Sequence, residues 1–181
     1  ILKERVVPVA VIDRVEDAPL IARALLAGGL STLELTLRTP AALDCIRAIR
    51  KEVPEMIVGA GTVLTVAQVR EVADAGAFFA VSPGLNPHIL LAAKKRKLPF
   101  YPGVMTPSDV EHGLEHGCTL QKFFPASVAG GLDMIKALAG PYAHTGLQLI
   151  PLGGVTALNM KDYLAHPLVA AVGGSWLVDK K

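Results

Sequence analysis

The chain has 181 residues, 51% of them apolar and 19% charged, with a formal net charge of +2. That length suits one domain over residues 1–181, and so apolar a composition suggests strands buried on both faces, as in a parallel sheet covered by helices. The small net charge gives no broad electrostatic footprint for nucleic acid.

Taken in chain order, the sequence reads as one short unit repeated. Lys3 and Arg5 precede an apolar run, Val6 to Ile12, but Pro8 interrupts it and no small-residue cleavage site follows, so neither a signal peptide nor a membrane span is supported. The missing initiator methionine suggests a trimmed amino terminus. Val/Ile/Leu-rich runs start near residues 6, 30, 55, 77, 99, 118, 146 and 168, and helical spacing separates them, as in Leu43, Ile46, Ile49 and Val53. Gly28-Gly29 stops the first helix, Thr39-Pro40 and Thr106-Pro107 begin others, Gly76 and Gly117 sit just past helix ends, and Gly140-Pro141 ends the seventh. Lys94, Lys95 and Lys97 cluster before Pro99 without interleaved aromatics, which reads as a solvated helix end. Cys45 and Cys118 have no metal-like spacing and are too few for a disulfide framework, so a reducing cytoplasm fits. His112 and His116 lie on a polar helix pattern and read as solvated surface, not as metal ligands with Cys118. Strand then helix, eight times over, closes most economically into a (β/α)8 TIM barrel, with an open doubly wound sheet as the alternative. The sequence stops after Trp176-Leu-Val and three further residues, so the last helix is expected to be truncated.

Polar and glycine residues gather where these strands end, which is the face on which barrels carry chemistry: Glu34 to Arg38, Gly61-Thr62, Ser82-Pro83-Gly84, Pro102-Gly103, Lys122, Gly153-Gly154 and Gly173-Gly174-Ser175. In the second strand Thr32, Glu34, Thr36 and Arg38 share one face, and Leu33, Leu35 and Leu37 share the other, toward the helices. Glu34 and Arg38 stand about 13 Å apart along an extended strand, so they serve different partners. An arginine at the rim suits a carboxylate; a glutamate deeper inside suits proton transfer.

Lys122 is the lysine that falls inside an apolar strand-like run, Cys118 to Ala126, where Leu120, Lys122 and Phe124 share a face. An amine aimed among apolar groups is desolvated, which disfavours its charged form and leaves a fraction nucleophilic, as a Schiff-base lysine requires. A buried structural Glu–Lys ion pair is the alternative. Two Gly-Gly pairs after strands seven and eight fall where barrels frequently bind phosphate. Gly59-Ala-Gly61-Thr lacks the further glycine of a dinucleotide fingerprint.

The strings Leu33-Glu-Leu-Thr-Leu-Arg-Thr39, Val58-Gly-Ala-Gly-Thr-Val63, Val81-Ser-Pro-Gly84, Pro102-Gly-Val104, Lys122-Phe-Phe-Pro-Ala126 and Gly173-Gly-Ser-Trp-Leu177 resemble the 2-keto-3-deoxy-6-phosphogluconate aldolases, in the same order, from Val6 to Val178. The resemblance implies a class I aldolase on a (β/α)8 barrel, a homotrimer, acting on a phosphorylated keto acid in the Entner–Doudoroff pathway. It implies Lys122 as the Schiff-base lysine, Glu34 as general acid/base, Arg38 and Thr62 around the pyruvate carboxylate, Pro83 and Phe124 lining the pocket, and Gly153, Gly154, Gly174 and Ser175 at the phosphate. The family usually reads Pro-Thr-Gly-Gly after strand seven, and here the string is Pro151-Leu-Gly-Gly154, so Leu152 marks altered specificity. No cofactor or metal is called for, because an iminium is itself the electron sink. A phosphosugar isomerase or epimerase barrel is the rival reading, but it leaves the strand lysine unexplained. A non-catalytic phosphosugar-binding or self-assembling trimer is another.

Overall fold

The structure, a computed structural model, describes residues 3–178. Among the described residues the order is β1 (Val6–Ala10), α1 (Asp17–Ala27), β2 (Thr32–Thr36), α2 (Ala42–Glu52), β3 (Ile57–Gly61), α3 (Val66–Asp74), β4 (Ala80–Val81), α4 (Pro87–Lys95), β5 (Phe100–Tyr101), β6 (Gly103–Val104), α5 (Pro107–Glu115), β7 (Leu120–Phe123), α6 (Gly131–Tyr142), β8 (Gln148–Pro151), α7 (Met160–Leu164) and β9 (Val172–Gly174). A 3₁₀ turn, Ala143–Thr145, follows α6. No helix among the described residues is long and apolar enough to cross a membrane.

The expected closed eight-stranded TIM barrel is not what forms. Among the described residues, nine strands make two parallel sheets, one of six strands in the order β5-β4-β3-β2-β1-β9 and one of three in the order β6-β7-β8. The physical cause lies partly at Pro102. It has no N–H to give a ladder and splits the fifth apolar run, so Phe100 and Tyr101 pair with β4 while Gly103 and Val104 pair with β7. At the other junction a single bridge, Leu149 to Val169, joins β8 to the segment before β9. The expectation of a truncated final helix concerns residues 179–181 and falls outside the described residues.

Local signals place the helices. Thr106 caps α5 by accepting from Asp109 N, and the Asp109 carboxylate accepts from Thr106 N in return. Thr65 and Gln68 do the same for α3. Two expected boundaries move. Thr39-Pro40 lies in a turn and α2 begins at Ala42. Gly140-Pro141, expected to end the seventh helix, sits inside the last turn of α6, which continues to Tyr142. Tyr142 is buried there, and its hydroxyl donates to Glu111 Oε1 at 2.8 Å, which holds the turn past the proline.

Alternation along the strands sorts side chains into layers. Leu33 and Leu35 face outward onto Ile46 and Ile49 of α2, and Phe123 and Leu149 face outward onto Ile135 and Leu138 of α6. An inner cluster takes Val7 and Val9 from β1 together with Ile150 from β8 and Leu152, so the two sheets share one interior. Phe123 is fully buried in the outer layer of the smaller sheet. Phe123→Ala is therefore expected to cost about 3–5 kcal/mol of stability, read from the urea midpoint, and a loss below about 1 kcal/mol would show that this layer collapses around the change.

Candidate active site

The second and seventh strands meet across the interior through two charged side chains. Lys122 Nζ donates to Glu34 Oε1 at 3.1 Å, and the residues are 7% and 2% exposed. Strand register sets the depth of each: Glu34 stands opposite Val9 and Gly59, and Lys122 opposite Gly103 and Ile150. The carboxylate has room because Gly61 carries no side chain; a Cβ there would collide with Glu34 Oε1. The Phe124 ring lies with its centroid 5.4 Å from Nζ. Taking two charges out of water is expensive and is repaid only by close geometry, so neither charge can be removed cheaply.

Beneath the pair the interior is closely packed. A void of about 10 Å³ is bounded by Val7, Phe79, Val81, Tyr101, Ile150 and Leu152 besides the pair itself, room for about one water. The Phe79 and Tyr101 rings pack there at 6.0 Å between centroids, and burial holds the Tyr101 phenol above its ordinary pKa.

Above the pair a cleft of about 320 Å³ opens, within the range of small-molecule sites. Its walls carry Glu34, Arg38, Thr62, Pro83, Lys122, Phe124, Leu152, Gly153, Gly174 and Ser175, all of them expected from the sequence. Gly154 is the expected residue outside that wall; it is exposed, and a Cβ on it would meet the Ser127 side chain. Two further wall residues, Val9 and Thr36, lie outside the expected set. Thr36 is visible in the polar row of the second strand. Val9 and the floor residues carry no chemical signature, and only the alternation of β1 could have aimed Val9 inward.

Arg38 is exposed at the rim, and its Nε donates to Thr36 Oγ1 at 3.3 Å, so it and Glu34 do have separate partners. Thr62 adopts a left-handed backbone with φ of 60°, rare for a β-branched residue and costing on the order of 1–3 kcal/mol. Hydrogen bonds from Leu37 N to Gly61 O and from Val63 N to Val81 O brace it on both sides. Gly153 and Gly154 also turn left-handed, with φ of 89° and 84°, and their carbonyls accept from Ser127 N and Asn159 Nδ2. Leu152 is buried and touches both cleft and floor.

A larger groove of about 590 Å³, lined by Leu90, Lys94, Phe100, His116 and Cys118 among others, holds none of the expected site residues. It also lacks a buried acid–amine pair, so size does not decide the site. His112 is exposed, and the His116 ring nitrogen Nδ1 lies 2.8 Å from His112 O at the end of α5.

A family model described as KDPG and KHG aldolase matches residues 1–181. The chain belongs to this aldolase family. It is 50% identical to the KHG/KDPG aldolase of Escherichia coli K12 over 173 residues, 96% of this chain and 80% of that one. Two solved structures are similar: the KDPG aldolase of Legionella pneumophila, with pyruvate captured as a covalent carbinolamine, and that of Zymomonas mobilis with 3-phosphoglycerate. Both are 44% identical to this chain. Their TM-scores are 0.94 and 0.93, covering 97% and 98% of this chain and 84% and 83% of theirs.

Since Gly61 makes the space in which the Glu34 carboxylate sits, Gly61→Ala is expected to displace that carboxylate while leaving the two outer cores intact. If that carboxylate carries the proton transfers, aldol cleavage should fall about a hundredfold, the scale for a small misplacement of a reacting group, with the cooperative melt retained. Undiminished turnover would show that Glu34 can act from a shifted position.

Proposed function

We propose that this chain is a class I aldolase that cleaves 2-keto-3-deoxy-6-phosphogluconate to pyruvate and glyceraldehyde 3-phosphate, with Lys122 as the imine-forming amine. The observation that carries the reading is a buried amine and carboxylate 3.1 Å apart at the base of an open cleft. A purely structural ion pair has no need of such a cleft above it. The names of the relatives and the carbinolamine of the Legionella protein support the same chemistry.

Glu34 takes a proton from the Lys122 ammonium, and the freed amine adds to the C2 ketone to give a carbinolamine. The C2 oxygen is protonated and leaves as water, which generates an iminium. Its positive nitrogen accepts the electron pair of the C3–C4 bond as Glu34, directly or through a water, removes the C4 hydroxyl proton. Glyceraldehyde 3-phosphate departs. The enamine is protonated at C3, and water hydrolyses the new iminium to pyruvate and the free amine. Arg38 and Thr62 hold the carboxylate, with the guanidinium fork as its anchor. Pro83 and Phe124 pack on the carbon chain. Gly153, Gly154, Gly174 and Ser175 present backbone N–H and hydroxyl groups to the phosphate. The same steps serve 4-hydroxy-2-oxoglutarate, giving pyruvate and glyoxylate. The acting unit is one domain per chain, assembled as a cytoplasmic homotrimer.

Borohydride added with pyruvate tests the reading directly, because it reduces the imine to a stable amine. One reduced pyruvyl group per chain is expected, on the peptide containing Lys122, by mass spectrometry. Label on another lysine, or none, would remove Lys122 from the mechanism.

Leu152 gives a second expectation. An isobutyl group stands in the cleft wall where the family pattern has a hydroxyl, so one neutral hydrogen bond to substrate is absent. Such a bond is worth about 0.5–1.5 kcal/mol, roughly three- to tenfold in a rate ratio. Leu152→Thr should shift the C4 diastereomer ratio of products made from pyruvate and an achiral aldehyde by about that factor. An unchanged ratio would assign facial control to another group.

A further inference from the structure

We propose that Thr36 is a positioning residue that orients the Arg38 guanidinium, fixing which edge of the fork meets the substrate carboxylate. The proposal rests on the aldolase reading and concerns a residue to which that reading gives no role. Thr36 ends β2, is 1% exposed, and lines the cleft between Glu34 and Arg38. A threonine hydroxyl has one proton and two lone pairs. Here the proton goes to Ala10 O at 3.2 Å, the last carbonyl of β1. What the oxygen can offer Arg38 is therefore a lone pair, and Nε donates to it at 3.3 Å. The backbone is pinned on the far side as well: Thr39 Oγ1 donates to Ile12 O at 2.6 Å. Two hydroxyls anchored on the exit of β1 thus flank the arginine.

The consequence is chemical. A guanidinium can grip a carboxylate through its Nε and one Nη, or through its two Nη groups. With Nε–H committed to Thr36, the two Nη groups are the edge left to face the cleft. The side chain is otherwise exposed at the rim, where a long arginine has many rotamers to lose on binding. Fixing Nε before substrate arrives removes part of that cost, and it acts on binding more than on the bond-breaking steps at Lys122.

The test is steady-state cleavage of 2-keto-3-deoxy-6-phosphogluconate by Thr36→Val, which keeps the shape and removes the hydroxyl. KM is expected to rise about three- to tenfold with kcat within about twofold, the pattern of lost uniform binding. Thr36→Ser should restore the wild-type KM. In an Arg38→Lys background, where there is no Nε–H, Thr36→Val should add nothing further. Thr36→Ala carries the same expectations should the valine variant not fold. An unchanged KM, a fall in kcat alone, failure of serine to rescue, or an undiminished effect of Thr36→Val in the Arg38→Lys background would each overturn the role. Borohydride trapping of pyruvate at saturation should be undiminished in Thr36→Val. Absence of trapping in the wild-type protein would instead overturn the aldolase reading, and this role with it.

Discussion

The hydrogen-bonded pair of Lys122 and Glu34 is the contact on which the rest of the molecule depends. It joins β7 of the smaller sheet to β2 of the larger one, with both side chains nearly buried. Two charges in such a place are a liability unless each satisfies the other, and a partner lost from a buried pair costs about 3–5 kcal/mol. The surroundings are shaped to protect that geometry. Gly61 leaves space for the carboxylate, and Gly103 lets β6 pass close to the Pro83 carbonyl, where a Cβ would collide.

A division of labour runs along the interior axis. The floor is apolar and close-packed, with Phe79, Val81 and Tyr101 contributed by β4, β5 and the residue before β4. Polar and left-handed positions collect at the ends of the strands, where Thr62, Gly153 and Gly154 depart from ordinary backbone angles. Strain of this kind persists only where neighbours over-determine it, and the Thr62 segment is held by bonds from strands on either side.

Much of the site was legible in the sequence because its residues break local rules. A lysine in an apolar strand and a glutamate between leucines have no inexpensive explanation except each other or a ligand. Alternation then told which way each side chain points, and Leu33, Leu35, Gln121 and Phe123 do lie on the outer side. Closure of the sheet was not legible. Pro102 marked the end of one strand in the linear reading, but whether pairing continues past it depends on β4 and β7, which are remote in sequence. The expected end of a helix at Gly140-Pro141 failed for a similar reason: the tertiary anchor of Tyr142 on Glu111 outweighs the local signal. Val9 and Tyr101 were missed because apolar lining has no pattern distinct from core.

The floor leaves room for about one water below the pair, so the cleft above is the roomy approach to Lys122. Arg38 and the glycine positions stand at the rim of that approach. On the aldolase reading proposed above, the aldehyde product leaves before water hydrolyses the imine, and both would use that approach. The order of departure would then follow from the covalent chemistry itself, and an aldehyde that arrives before hydrolysis would meet an enamine. Synthesis and cleavage share one doorway.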